Sequence, residues 1–215
     1  MNQIMVEIAE VLQSTRPKKV TELITKALEE GVSADDILSR GLIAGMDMIA
    51  DKFRNNEVFV PEVMNAASAM NAATALLKPH MTESGIKPLG KCVIGTVKGD
   101  LHDIGKNLVR MMLEGKGIEV IDIGVDAGPE KYIEAIKAED PDIVAMSALL
   151  TTTMGDMKST IEALVEAGLR DGRIIMVGGA PITEDFSKLI GADIYAPDAG
   201  SAAVAAKQAL MNKTA

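Results

Sequence analysis

Between Gly95 and Asn107 the chain reads Gly-Thr-Val-Lys-Gly-Asp-Leu-His-Asp-Ile-Gly-Lys-Asn, with Asp100 two residues before His102 and Asp103 immediately after it. Only two histidines occur in 215 residues, so the placement of this one is informative. A neutral imidazole can ligate a metal through one ring nitrogen while the other donates to a carboxylate, which fixes the tautomer and raises the basicity of the ligating nitrogen. Asp100 and His102 have the residue types for such a pair. The plainer alternative is a solvated loop histidine beside an aspartate that caps the next helix. Two further turns stand out. Ser147-Ala-Leu-Leu-Thr-Thr-Thr153 is rich in hydroxyls, and Gly178-Gly-Ala-Pro181 lacks Cβ atoms at two positions, so another group can pass close to its backbone. Thr151 and Thr153 are also ordinary turn or capping types, and paired glycines also end strands tightly.

These turns need elements to hold them. Apolar runs predict strands at Lys91–Val97, Glu119–Ile123, Asp142–Ser147, Arg173–Val177 and Asp193–Ala196, alternating with helices over 105–116, 129–139, 154–168, 182–190 and 199–212. Five β-α units predict a doubly wound parallel sheet over residues 91–215. In the flavodoxin-like strand order, strands one and three lie side by side and the loops after them diverge, opening a crevice at their carboxyl ends. The turns at His102, Ser147 and Gly178 then converge on one place.

Residues 1–80 read as helical throughout. Ile4, Ile8, Val11 and Leu12 mark a first helix; Pro17 opens a second that Gly31 ends; Ser33 with Asp36 has the form of a capping box before a third helix running to Phe53. Pro61 starts a fourth, rich in Met and Ala, which Pro79 is expected to close. Short turns between four helices suggest a small bundle. Gly41 and Gly45 each cost the third helix about 1 kcal/mol relative to Ala. They mark either a close helix crossing or a surface that lies on a flat apolar ligand. Residues 81–90 break both periodicities and read as a linker, with His80 as a surface residue at its edge.

A formal net charge of −9, from 22 basic and 31 acidic residues, argues against a phosphate-binding surface and so against nucleic acid. The N-terminus lacks the basic segment of a signal peptide, and no apolar run approaches the roughly 18 residues of a membrane span. A cytoplasmic protein without a membrane partner is expected. The single cysteine, Cys92, sits in an apolar strand and reads as inert core. One cysteine and two histidines do not readily make a structural zinc site, so a metal is expected inside a larger cofactor. The run from Gly99 to Lys106 is one residue too long for a phosphate loop and continues Lys-Asn rather than Lys-Ser or Lys-Thr. No Gly-x-Ser-x-Gly elbow and no Gly-x-Gly-x-x-Gly turn follows a predicted strand.

Asp100-Leu-His102-Asp103-Ile104-Gly105, Ser147-Ala-Leu149 and Gly178-Gly179 match in order and spacing the Asp-x-His-x-x-Gly, Ser-x-Leu and Gly-Gly signature of cobalamin-binding domains. Residues 1–80 resemble the helical cap of the methyl-carrying members through Gly41–Met46, Phe53, Glu57–Glu62 and Ala66-Ala67. The whole chain is thus similar to the cobalamin module of methionine synthase and to the corrinoid proteins of methylamine, betaine and methanol methyltransferase systems. The resemblance implies a four-helix cap over 1–80, a linker over 81–90 and a Rossmann-like cobalamin domain over 91–215. It implies His102 as the lower axial ligand of cobalt, Asp100 holding the distal ring nitrogen, and Thr153 extending the relay where a serine is common. Ser147 and Thr151 would meet the displaced nucleotide tail, with Gly105, Gly178 and Gly179 making room for it. Phe53, Val60 and Val63 would cover the upper corrin face.

The implied function is carriage of a methyl group on cobalt, with storage or sensing without turnover as the alternative. A methyltransferase specific for a methylated amine, betaine or related donor would load the carrier. A second, with coenzyme M or tetrahydrofolate as acceptor, would unload it, and a reductive activator would rescue oxidised cobalt. Access of both partners to one face makes the 81–90 linker the expected hinge.

Overall fold

The computed structural model describes residues 3–14, 17–82 and 88–213. The chain divides into two compact units, one formed by Met1–Lys87 with Gly115–Gly117 and the other by Pro88–Glu114 with Ile118–Ala215. Half of the predicted linker 81–90, residues 83–87, lies outside the described residues.

The first unit is helical. Helix α1 spans Gln3–Leu12, α2 Pro17–Glu29, α3 Ala34–Asp36, α4 Ala44–Arg54 and α5 Val60–Thr82. Gly31, at φ +79°, takes the left-handed conformation that follows α2. The Ser33 hydroxyl accepts from the Asp36 amide at 3.1 Å, which forms the expected cap at the start of α3. Between α3 and α4 the predicted continuous helix is interrupted by a π-helical segment, Ile37–Ile43. Packing here is tight: a Cβ on Gly41, inside this segment, would stand 3.0 Å from Ile8 Cγ2, and one on Gly45, in α4, would stand 2.9 Å from the Ala9 carbonyl oxygen. Both glycines therefore serve a close crossing with α1. Helix α5 also departs from expectation. Pro79 lies inside it, and the helix runs on through His80 to Thr82. A proline in the last turn removes one intrahelical hydrogen bond and is tolerated there more easily than at mid-helix.

The second unit is α/β. Strands β1 (Lys91–Thr96), β2 (Glu119–Asp122), β3 (Ile143–Ser147), β4 (Ile174–Gly178) and β5 (Ile194–Ala196) form a sheet in the order β2-β1-β3-β4-β5. Every pairing is parallel, with Thr96 opposite Ser147 and Ser147 opposite Gly178 in register. The strands are followed by α6 (Ile104–Glu114), α7 (Pro129–Glu139), α8 (Met154–Glu166), α9 (Glu184–Ile190) and α10 (Ala199–Lys213). Residues of α7, α8 and α9 join one core with Val93, Val144, Ile175 and Val177 of the sheet. Because β1 has β2 on one side and β3 on the other, the chain reverses direction across the sheet at this point. The carboxyl ends of β1 and β3 flank the crevice that such a reversal opens.

Candidate functional site

The turn after β1 carries Asp100 and His102, and the short strands hold it close to the turn after β3. Asp100 is fully buried. One carboxylate oxygen, Oδ1, accepts from the His102 amide at 3.0 Å and lies 2.6 Å from His102 Nδ1. The other, Oδ2, accepts from the amides of Leu149 at 2.7 Å and Leu150 at 3.3 Å. The Thr153 hydroxyl, also buried, stands 3.0 Å from both Asp100 Oδ2 and the Leu150 carbonyl oxygen, so its single proton is shared between two acceptors. Burial pushes the Asp100 carboxyl upward, but the donors from Leu149, His102 and Thr153 outweigh it and hold the group well below the usual carboxylate range. The carboxylate stays ionised and its position is set from two loops.

With Nδ1 turned to Asp100, Nε2 is the ring nitrogen left for a ligand. The His102 side chain is 52% exposed. The turns that hold it expose large apolar side chains: Leu101 is 72% exposed and Ile104 77%, with Leu149 and Leu150 also exposed. Four large aliphatic side chains left in water at the end of a sheet lose favourable burial. They form a surface suited to a large, partly apolar group. Gly105 adds room, because a Cβ built there meets nothing within 4 Å. An oriented imidazole, an apolar rim and open space above a helix start fit a planar metal-bearing cofactor. Asp103 is exposed at the start of α6; its carboxylate accepts from Asn107 Nδ2 at 3.2 Å and its carbonyl from the Asn107 amide.

Ser147 ends β3, half-buried, and Thr151 is exposed on the following turn. At Gly179 the space next to the backbone is already taken: a Cβ would lie 1.9 Å from the Ala148 carbonyl oxygen, and φ is +134°. At Gly178 it would lie 3.0 Å from the Ala196 carbonyl oxygen. The two glycines therefore let the turn after β4 press onto the protein's own neighbouring segments. Three turns do converge, joined by Asp100 with Leu149 and by Gly179 with Ala148.

The other residues singled out from sequence lie in the helical unit. Phe53, near the end of α4, and Val60, the first residue of α5, are half-buried, whereas Val63 is fully buried in that unit. Helical periodicity places Val63 on the face shared by Ala66, Ala67 and Met70, which explains its burial. Cys92 is fully buried, and desolvation pushes its thiol far up, so it is inert. Lys106, in the run that mimics a phosphate loop, is buried and ion-paired with Asp122, which disposes of that motif. Sequence reasoning passed over Leu101 and Leu150, both exposed at the site. Their signal was available, since Leu101 with Ile104 and Leu150 with Leu149 are large apolar residues in turns otherwise made of polar or small ones.

The arrangement belongs to a class of parallel α/β domain that presents one carboxylate-oriented imidazole nitrogen at the switch point of its sheet. Two family models, each described as a B12 binding domain, match residues 6–78 and 90–207. The chain belongs to this B12-binding family. It is 42% identical over 205 residues to dimethylamine corrinoid protein 3 of Methanosarcina acetivorans, covering 95% of this chain and 96% of that one. It is 39% identical to the trimethylamine corrinoid protein of Methanosarcina barkeri, covering 97% of each. Among solved structures, the methanol:cobalamin methyltransferase complex MtaBC of Methanosarcina barkeri contains a chain that aligns at a TM-score of 0.86 and 29% identity, covering 98% of this chain and 81% of that chain.

Proposed function

We propose that this protein is a corrinoid methyl carrier, receiving a methyl group from a methylated amine through one methyltransferase and yielding it to a second. The observation that carries the reading is His102, held at Nδ1 by the buried Asp100 carboxylate 2.6 Å away with its ring half in solvent among leucines. The bound corrinoid supplies a cobalt centre able to take a methyl group from one substrate and release it to another. The chain supplies the rest. His102 Nε2 is the candidate lower ligand, Asp100 fixes its tautomer, and Thr153 shares a proton between Asp100 and a backbone carbonyl. Leu149 and Ile104 exclude water beside the ligand, with Asp103 at the start of α6, and Gly105 leaves space for the displaced nucleotide tail near Ser147 and Thr151. Phe53, Val60 and Val63, all in the helical unit, are the residues that the resemblance assigns to covering the corrin.

An amine donor is supported by identity: 42% and 39% to proteins named for dimethylamine and trimethylamine, against 29% to the chain from the methanol system. The acceptor methyltransferase, with coenzyme M or tetrahydrofolate, and a reductive activator follow from a carrier's need to be unloaded and kept reduced. Among the described residues no helix is long and apolar enough to cross a membrane. The test is cobalt(II) EPR on protein loaded with hydroxocobalamin and reduced. With the protein's histidines labelled with 15N, a two-line splitting in the wild type that vanishes in His102→Ala, with corrinoid still partly retained, is expected; a three-line 14N pattern in the labelled wild type removes His102 as ligand.

A further inference from the structure

We propose that Thr96 and Asp126 are positioning residues for His102, two side chains outside the ligating pair that fix how the imidazole stands out from the sheet. The inference rests on the reading that His102 ligates the corrinoid cobalt. Asp100 aligns the ring, yet it sits in the same turn as the histidine, and outside that turn its carboxylate is anchored only by the turn after β3. The backbone of the turn needs separate restraint. Thr96, the last residue of β1 and fully buried, supplies one point: its hydroxyl donates to the His102 carbonyl oxygen at 2.8 Å. Asp126 supplies two from the opposite side. Its carboxylate accepts from the Gly99 amide at 2.7 Å, and its own amide donates to the Asp100 carbonyl oxygen at 3.0 Å.

The conformations fit this role. Asp126 has φ +49°, in the left-handed region that side-chain-bearing residues seldom adopt, and Gly99 opposite it has φ +78°. Asp126 is exposed and gains nothing there from core packing. What its conformation gains is the pair of hydrogen bonds to the turn. Gly99, Asp100 and His102 are thus held by a strand hydroxyl on one side and by the turn after β2 on the other. A ligand held to a fraction of an ångström depends on such outer partners, because they orient the donor atom and tune its bond to the metal.

The test uses full-length protein carrying Thr96→Val, Thr96→Ser, Asp126→Ala or Asp126→Asn, loaded with hydroxocobalamin, reduced to cobalt(II) and read by EPR. Thr96→Val and Asp126→Ala should keep the corrinoid while the ratio of nitrogen-ligated to unligated cobalt falls about fivefold, the effect of one net hydrogen bond. Serine and asparagine keep the donor and the acceptor and should restore the wild-type ratio. In the apoprotein, amide exchange at Gly99 should accelerate about fivefold in Asp126→Ala and not in Asp126→Asn. Should Thr96→Val fail to fold, the exposed Asp126 pair decides alone. Unchanged splitting in the deletion variants, or a loss that the conservative variants share, overturns the positioning role while leaving His102 as ligand. A wild type without nitrogen splitting overturns the ligation reading and this inference with it.

Discussion

Asp100 receives donors from His102, Leu149, Leu150 and Thr153 while fully buried, and that concentration of donors sets its acid behaviour. Its folded pKa lies below the ordinary aspartate value of 3.8, so its stabilising effect is complete above that pH and is withdrawn as pH falls through and below it. Asp100→Asn should therefore cost about 2 kcal/mol near neutral pH, the scale of hydrogen bonds to a charged acceptor. Urea unfolding across pH should show the wild-type and variant stabilities drawing together below about pH 4; parallel curves would refute it. Gly105 offers the opposite case. It lies in the first turn of α6 with open space where a Cβ would be, so Gly105→Ala should stabilise the apoprotein by up to about 1 kcal/mol. The same methyl group intrudes where the cofactor's tail is proposed to pass. Calorimetry and corrinoid titration should show stability rising and affinity falling together, and unchanged affinity would place the tail elsewhere.

At the scale of elements, Gly41 in the π-helical segment and Gly45 just after it record how closely α1 approaches its neighbour. Gly45 faces a backbone oxygen and Leu12 Cδ2, both 2.9 Å from the position of a Cβ, and the backbone cannot turn aside. Gly41 faces only the Ile8 side chain at 3.0 Å, which can rotate. Gly45→Ala should destabilise by about 2 kcal/mol, and Gly41→Ala by roughly half of that, since overpacking outweighs the helical propensity gained. Denaturant midpoints compared at equal m-value check both. Equal effects at the two positions would mean that α1 shifts as a whole.

For the whole molecule, the proposed cofactor acts as a ligand of the native state. Free corrinoid at 100 times its dissociation constant adds about 2.7 kcal/mol. For a chain of this size that corresponds to a rise in Tm of about 5 to 10 °C, dependent on corrinoid concentration. Scanning calorimetry with increasing hydroxocobalamin measures it. A Tm that ignores the cofactor would contradict binding to the folded protein.

The alternation of strand and helix from Lys91 onward, the five β-α units and the three turns of interest were legible in the sequence, because periodicity and turn residues are local properties of a chain. Strand ends moved by about one residue, as hydrogen-bond pairing rather than hydropathy decides them. The pairing of Asp100 with His102 was also legible, at a separation of two residues. Local pattern could not show that Thr153 and Leu149, about fifty residues on, complete the shell of the same carboxylate. Nor could it distinguish a glycine that leaves open space, Gly105, from one forced by a carbonyl 1.9 Å from its missing Cβ, Gly179. In the helical unit, a strictly helical period concealed the π-helical segment, and Pro79 suggested a stop where the helix goes on. These facts depend on contacts between segments distant in sequence. The chain alone determined which residue types reach the end of the sheet, and only the folded sheet decided which of them touch.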